Sequence, residues 1–111
     1  MAESLELSVE WVYVTAGSEE EADLLARTLV MEKYAACANI LGPIRSFYRW
    51  NNEVREDAEV ALVFKTTREM LPVCKQRLIE LHSYSCPCVL SFSATGGTDA
   101  FLNWVKLQLL N

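Results

Sequence analysis

Apolar and polar positions along the chain divide it into six regular segments and a tail. Val9 to Thr15, rich in Val, Trp and Tyr, predicts a strand that Gly17 breaks. Ser18 then fits a helix N-cap, with Glu21 three residues on completing a capping box. Glu19, Glu20 and Glu21 suit the positive end of a helix dipole. Ala22, Leu25, Ala26, Leu29 and Val30 follow at helical spacing, which predicts a helix to about Glu32. Cys37 to Trp50 is long for one strand and is expected to bend at Gly42-Pro43. Asn51-Asn52 suits a tight hairpin turn, and Val54 to Thr66 returns antiparallel. The run Val60-Ala61-Leu62-Val63-Phe64 implies burial on both faces. A second helix begins between Thr67 and Pro72 and carries Leu71, Cys74, Leu78 and Leu81 on one side. Ser85 to Ala94 predicts the fourth strand, ended by Gly96-Gly97, and Thr98-Asp99 open a short terminal helix through Phe101, Trp104, Val105 and Leu109.

The predicted order is β-α-β-β-α-β plus a terminal helix. That is an α+β, ferredoxin-like split βαβ pattern, with the first two helices on one face of an antiparallel sheet. The length of 111 residues suits one domain, expected over 9–111 after a loosely ordered lead-in over 1–8. A net charge of −5 argues against nucleic acid and against an anionic membrane surface as partners. No apolar run approaches the roughly 20 residues that span a bilayer. The acidic start MAESLELSVE lacks the pattern of a secretory signal, so the expected location is the cytoplasm, with the four cysteines as thiols.

Several segments, taken in order, resemble the CutA divalent-cation-tolerance family over nearly all of residues 10–108. They are Val14-Thr15, the run Ala35-Ala36-Cys37-x-Asn39-Ile40, Ser46-x-Tyr48-x-Trp50, Asp57-x-Glu59-Val60 followed by Lys65-Thr66, His82-x-Tyr84-x-x-Pro87, and Phe101-Leu102-x-Trp104. The resemblance implies a ferredoxin-like homotrimer whose long hairpins pair between subunits, and a non-enzymatic role in divalent-cation tolerance. It also implies an optional Cu2+ or other divalent ion, none of them obligatory. Some members carry a cysteine where this chain has Val14, and a histidine pair where it has Leu81-His82. Ser83 and Ser85 stand where proline and glutamate are usual.

The candidate metal ligands are therefore His82, Cys86 and Cys88. A lone imidazole near a helix end also fits a capping or interface histidine. Cys86-Pro87-Cys88 fits either an uncommitted thiol pair or a soft-metal pair, for instance for Cu(I). Cys37 and Cys74 read as core residues. Arg49, Trp50, Glu59, Lys65 and Tyr84, with Trp104, are candidates for an intersubunit cleft or interface. A basic residue beside aromatic rings there would suit a small anionic metabolite or a protein partner. A satisfied polar network between subunits is the plainer reading. No nucleophile–base pair, nucleotide-phosphate loop or zincin helix is present, so an enzyme is not expected. Gly96-Gly97 reads as a turn more readily than as an anion cradle.

Overall fold

The computed structural model describes residues 8–110, so the expected lead-in, Ser8 apart, lies outside the described residues. The elements run β1 (Val9–Ala16), α1 (Glu19–Met31), β2 (Cys37–Trp50), β3 (Glu53–Thr67), α2 (Leu71–Leu81), β4 (Val89–Ser93) and α3 (Asp99–Gln108). The strands form one antiparallel sheet in the order β2-β3-β1-β4. Side chains alternate across a strand. Val12, Val14 and Ala16 of β1 and Val60, Leu62 and Phe64 of β3 therefore share one face. There they are buried against Ala22, Leu25 and Leu29 of α1 and Cys74 and Leu78 of α2. Burial pushes the Cys74 thiol up to about 12, as suits a core cysteine. The other face carries α3, whose Val105, with Leu109 just past its end, packs on Val9 and Ala36.

Three local features set the geometry of the site. The first is the ribbon. The last residue of β1, Ala16, pairs with Val60, and residues 44–59 of β2 and β3 run on past it as two strands alone. The ribbon closes on Asn51 and Asn52 with φ of 52° and 65°, the left-handed pair that a two-residue hairpin needs. The second is a bulge between Ile40 and Gly42, where Gly42 takes φ 120°. It bends the ribbon where the Gly42-Pro43 pair predicts a bend. The third is the start of α1. Ser18 Oγ accepts the Glu21 N–H at 3.1 Å, as in a capping box. The Glu21 carboxylate does not return to Ser18, however. It takes the Gly17 N–H at 2.9 Å and, across the chain, the Ser83 N–H at 2.7 Å.

Two expectations change. The fourth strand begins at Val89 and not at Ser85. The β1–β4 ladder ends at the Val14–Val89 pair, the next carbonyl of β1, that of Thr15, is taken by His82 Nε2, and Pro87 has no N–H to offer. Cys37 is only half-buried and faces away from the main core, because it pairs with Lys65 on the α3 side of the sheet.

The C-terminus of α1 generates a prediction. The Tyr34 N–H reaches Leu29 O at 3.0 Å and the Lys33 N–H reaches Val30 O at 3.1 Å, a Schellman pattern whose left-handed residue is Lys33, with φ 64°. A non-glycine residue held there costs about 1 kcal/mol. Lys33→Gly is expected to raise the thermal midpoint by a few degrees, while Lys33→Ala should not. An unchanged or lowered midpoint for the glycine variant, read by circular dichroism, would contradict this.

Candidate functional site

Period-two alternation places Ser46, Tyr48 and Trp50 of β2 on the same ribbon face as Arg55, Asp57 and Glu59 of β3. Ser46 lies opposite Asp57 and Tyr48 opposite Arg55. The loop between α2 and β4 folds over the base of this face, adding Tyr84, Ser85, Cys86 and Cys88, and Thr15 closes the end of β1. Together they line a cleft of about 510 Å³. That is within the range of small-ligand sites.

The loop is held by His82, whose side chain is wholly buried. Its Nε2 lies 2.8 Å from the Thr15 carbonyl, and the Tyr84 N–H points at Nδ1 from 3.1 Å. A carbonyl accepts only, and an N–H donates only. The ring is therefore the Nε2–H tautomer with its one lone pair already engaged. Glu21 stands 3.6 Å from Nδ1 and holds the next residue, Ser83. The Tyr84 ring lies against the His82 ring at 4.6 Å, and its hydroxyl donates to Glu59 Oε2 at 2.9 Å. Gly17 permits this approach, since a Cβ there would sit 3.2 Å from the Tyr84 oxygen. On the ribbon the Tyr48 hydroxyl donates to Asp57 in the same way.

These contacts set the acidities. Burial, then the hydrogen bond to Glu59, pushes the Tyr84 hydroxyl well above its ordinary value. The Asp57 bond also raises the Tyr48 hydroxyl. Burial and the Glu59 charge raise the Cys88 thiol. Burial also raises Glu21, but the hydrogen bonds from Gly17 and Ser83 outweigh it and leave that carboxylate below its ordinary value.

The expected site residues divide. Trp50, Glu59, Tyr84, Cys86 and Cys88 come together in the cleft. Arg49 does not join them, because it adjoins Trp50 in the strand and so points to the opposite ribbon face. Lys65 lies six residues along β3 from Glu59, about 20 Å away, and stands between the Trp11 and Phe101 rings at 6.0 and 5.8 Å. Trp104 stacks on Phe101 at that same distant end. His82 anchors the loop without lining the cleft. Among the described residues no three His, Cys, Asp or Glu side chains converge as a metal cage. The residues that sequence reasoning left out of the cleft are Thr15, Ser46, Tyr48, Arg55, Asp57 and Ser85. The alternation of S-x-Y-x-W and R-x-D-x-E about the Asn51-Asn52 turn carries the signal for four of them.

The sequence profile of the CutA1 divalent ion tolerance proteins matches residues 10–108. The chain belongs to the CutA1 family. It is 40% identical over 97 residues to the divalent-cation tolerance protein CutA of Thermus thermophilus, covering 87% of this chain and 94% of that protein. To the chloroplastic CutA of Arabidopsis thaliana it is 39% identical, over 90% of this chain and 55% of that longer protein. The solved T. thermophilus structure superposes with a TM-score of 0.89 at 39% identity, covering 91% of this chain and 98% of that one. CutA1 from Oryza sativa gives 0.91 at 34% identity, over 96% and 98% of the two chains. Within this CutA1 chain, Val14 is fully buried on the helix side of the sheet and Leu81 packs against the same core. The side chains at those two positions thus serve packing here, and the cleft lies on the opposite face, beside Thr15.

The Glu21 tie predicts a pH signature. Its folded pKa is lowered, so its stabilisation is complete above the unfolded carboxylate value of about 4.3 and is lost as pH falls through the folded value. Glu21→Gln keeps one acceptor and should cost about 2 kcal/mol at neutral pH. That difference from the wild type should shrink as the wild-type carboxyl protonates. A pH-independent difference in urea unfolding free energy would count against the tie.

Proposed function

We propose that the chain is a non-enzymatic divalent-cation tolerance protein of the cytoplasm that works as a homotrimer and takes up Cu2+ or a similar ion in the ribbon cleft. One observation carries the cation reading. Asp57 and Glu59 face the cleft two residues apart, each accepts only a tyrosine hydroxyl, and among the described residues neither has a basic group within ion-pair distance. Arg55, the only basic residue lining the cleft among the described residues, pairs with Glu53 at 3.7 Å. Two uncompensated carboxylates attract a cation and repel an anion, which weighs against an anionic metabolite as the ligand. One chain supplies pairs of donors, so water and a neighbouring subunit complete the coordination in this reading.

The trimer is supported by apolar surface that a lone chain leaves in water. Phe47 is 62% exposed, Val54 68%, Phe92 55% and Leu107 79%. A two-stranded ribbon on its own is marginally stable in water, and pairing it with other copies both covers these side chains and protects its edges.

Light scattering at micromolar concentration should give three times the chain mass, and Trp50→Ala should lower the melting temperature, by about 3 kcal/mol of stability where the ring is covered. A monomeric mass would refute the assembly. Equilibrium dialysis against Cu2+ should show uptake that falls at least about tenfold in Asp57→Asn/Glu59→Gln. Uptake unaffected by that pair would remove the carboxylates from the site.

A further inference from the structure

The loop side of the same cleft carries a second kind of donor. Cys86 and Cys88 lie two residues apart across Pro87, both are free thiols, and both line the cleft. Proline fixes its own φ and restricts the residue before it to extended backbone, so the backbone between the two cysteines is constrained by the chain itself. Their anchor is rigid as well. Just upstream, the His82 ring, the Thr15 carbonyl and the Glu21 carboxylate hold residues 82–84 through four contacts of 2.7 to 3.6 Å. The imidazole that makes this anchor has no lone pair left for an ion, and among the described residues no third His, Cys, Asp or Glu converges with the thiols.

A pair of thiols without a third protein donor has a definite preference. Thiolate is a soft ligand and selects Cu(I), which is satisfied by two such ligands. Zinc takes four ligands in a tetrahedron, and Cu(II) favours a tetragonal set of nitrogen and oxygen donors, neither of which a thiol pair provides. We propose that Cys86 and Cys88 form a two-coordinate site for monovalent copper at the loop side of the cleft. This goes beyond the divalent reading, because it uses other donors and another ion. The balance is one Cu(I) and two thiols giving a copper dithiolate and two protons. No electron moves, so no oxidant or reductant is required. Cys88 is partly screened from water beside Glu59, whereas Cys86 is open to solvent.

The test is an anaerobic titration of the full, reduced chain with Cu(I) in competition with a chromogenic Cu(I) chelator, alongside Cu(II) and Zn(II). The expected result is one Cu(I) per chain, with affinity reduced at least about 100-fold in Cys86→Ser/Cys88→Ser and also reduced in Cys86→Ser alone, whose exposed position leaves the fold intact. His82→Ala, provided that its circular dichroism matches the wild type, should retain Cu(I) within about threefold. Because two protons leave, Cu(I) affinity should rise with pH, by up to about 100-fold per unit while both thiols are protonated. Cu(I) binding that survives the double serine change, or the absence of Cu(I) binding in the wild type, would overturn the proposal. Loss of Cu(I) in a folded His82→Ala protein would overturn it too, by returning the imidazole to the ligand set. Cu(II) bound through Asp57 and Glu59 with no Cu(I) uptake would sink this site and leave the divalent reading standing. The reverse pattern would support this site and sink the divalent one.

Discussion

The pairing of β2 with β3 is the constraint from which the rest of the molecule follows. Inside the domain β3 is flanked by β1 as well, and its residues Val60 to Phe64 are buried on both faces. Past Ala16 the same ladder loses its third strand but not its register. That register is pinned at both ends, by the Asn51-Asn52 turn and by the bulge at Gly42. A slip of β2 by one residue against β3, which β1 holds in place, would exchange the faces of β2, sending Ser46, Tyr48 and Trp50 away from the loop and bringing Phe47 and Arg49 towards it. The cleft therefore exists because the hairpin register is correct, and its chemistry is the chemistry of one alternation class.

The loop from His82 to Cys88 depends on that ribbon and on β1 together. Its hydrogen bonds run to the Thr15 carbonyl at the end of β1, to Glu21 at the start of α1 and, through Tyr84, to Glu59 on β3. Three separate elements thus meet at one short segment. The N-terminal turn of α1 takes part because the Glu21 carboxylate accepts from Gly17 and Ser83 and does not return to Ser18, which converts a helix-capping residue into a tertiary tie. A buried imidazole with both nitrogens engaged is well suited to such a hub, since an unpaired nitrogen there would be costly.

Most of the fold was legible in the chain. The capping serine, the apolar spacing of α1 and α2, the turn asparagines and the run Val60 to Phe64 each act locally, and local physics gave the element order. The resemblance in motif order gave the family. The beginning of β4 was not legible, because the ladder with β1 ends where the Thr15 carbonyl is taken by His82, a partner far away in sequence, and strand propensity cannot register that. The cleft was half legible. Within one chain Trp50, Glu59 and Tyr84 line the same cleft, whereas Arg49 faces the other side of the ribbon and Lys65 lies further along β3. In the sequence His82 reads as a ligand or as a bonded histidine from its place near a helix end and within the family-like motif. Which nitrogen bonds which partner is a tertiary fact, and it is what turns the candidate ligand into an anchor.

In the proposed homotrimer the ribbon, marginal in one chain, is held by other copies of itself. Hydrogen exchange of the backbone amides of residues 44–59 tests this directly. The account predicts protection in the ribbon approaching that of Leu62 and Phe64 in the core, at a concentration where the assembly is complete, and a loss of that protection on dilution to single chains. Ribbon amides that exchange like an open hairpin at all concentrations, while the core stays protected, would contradict it.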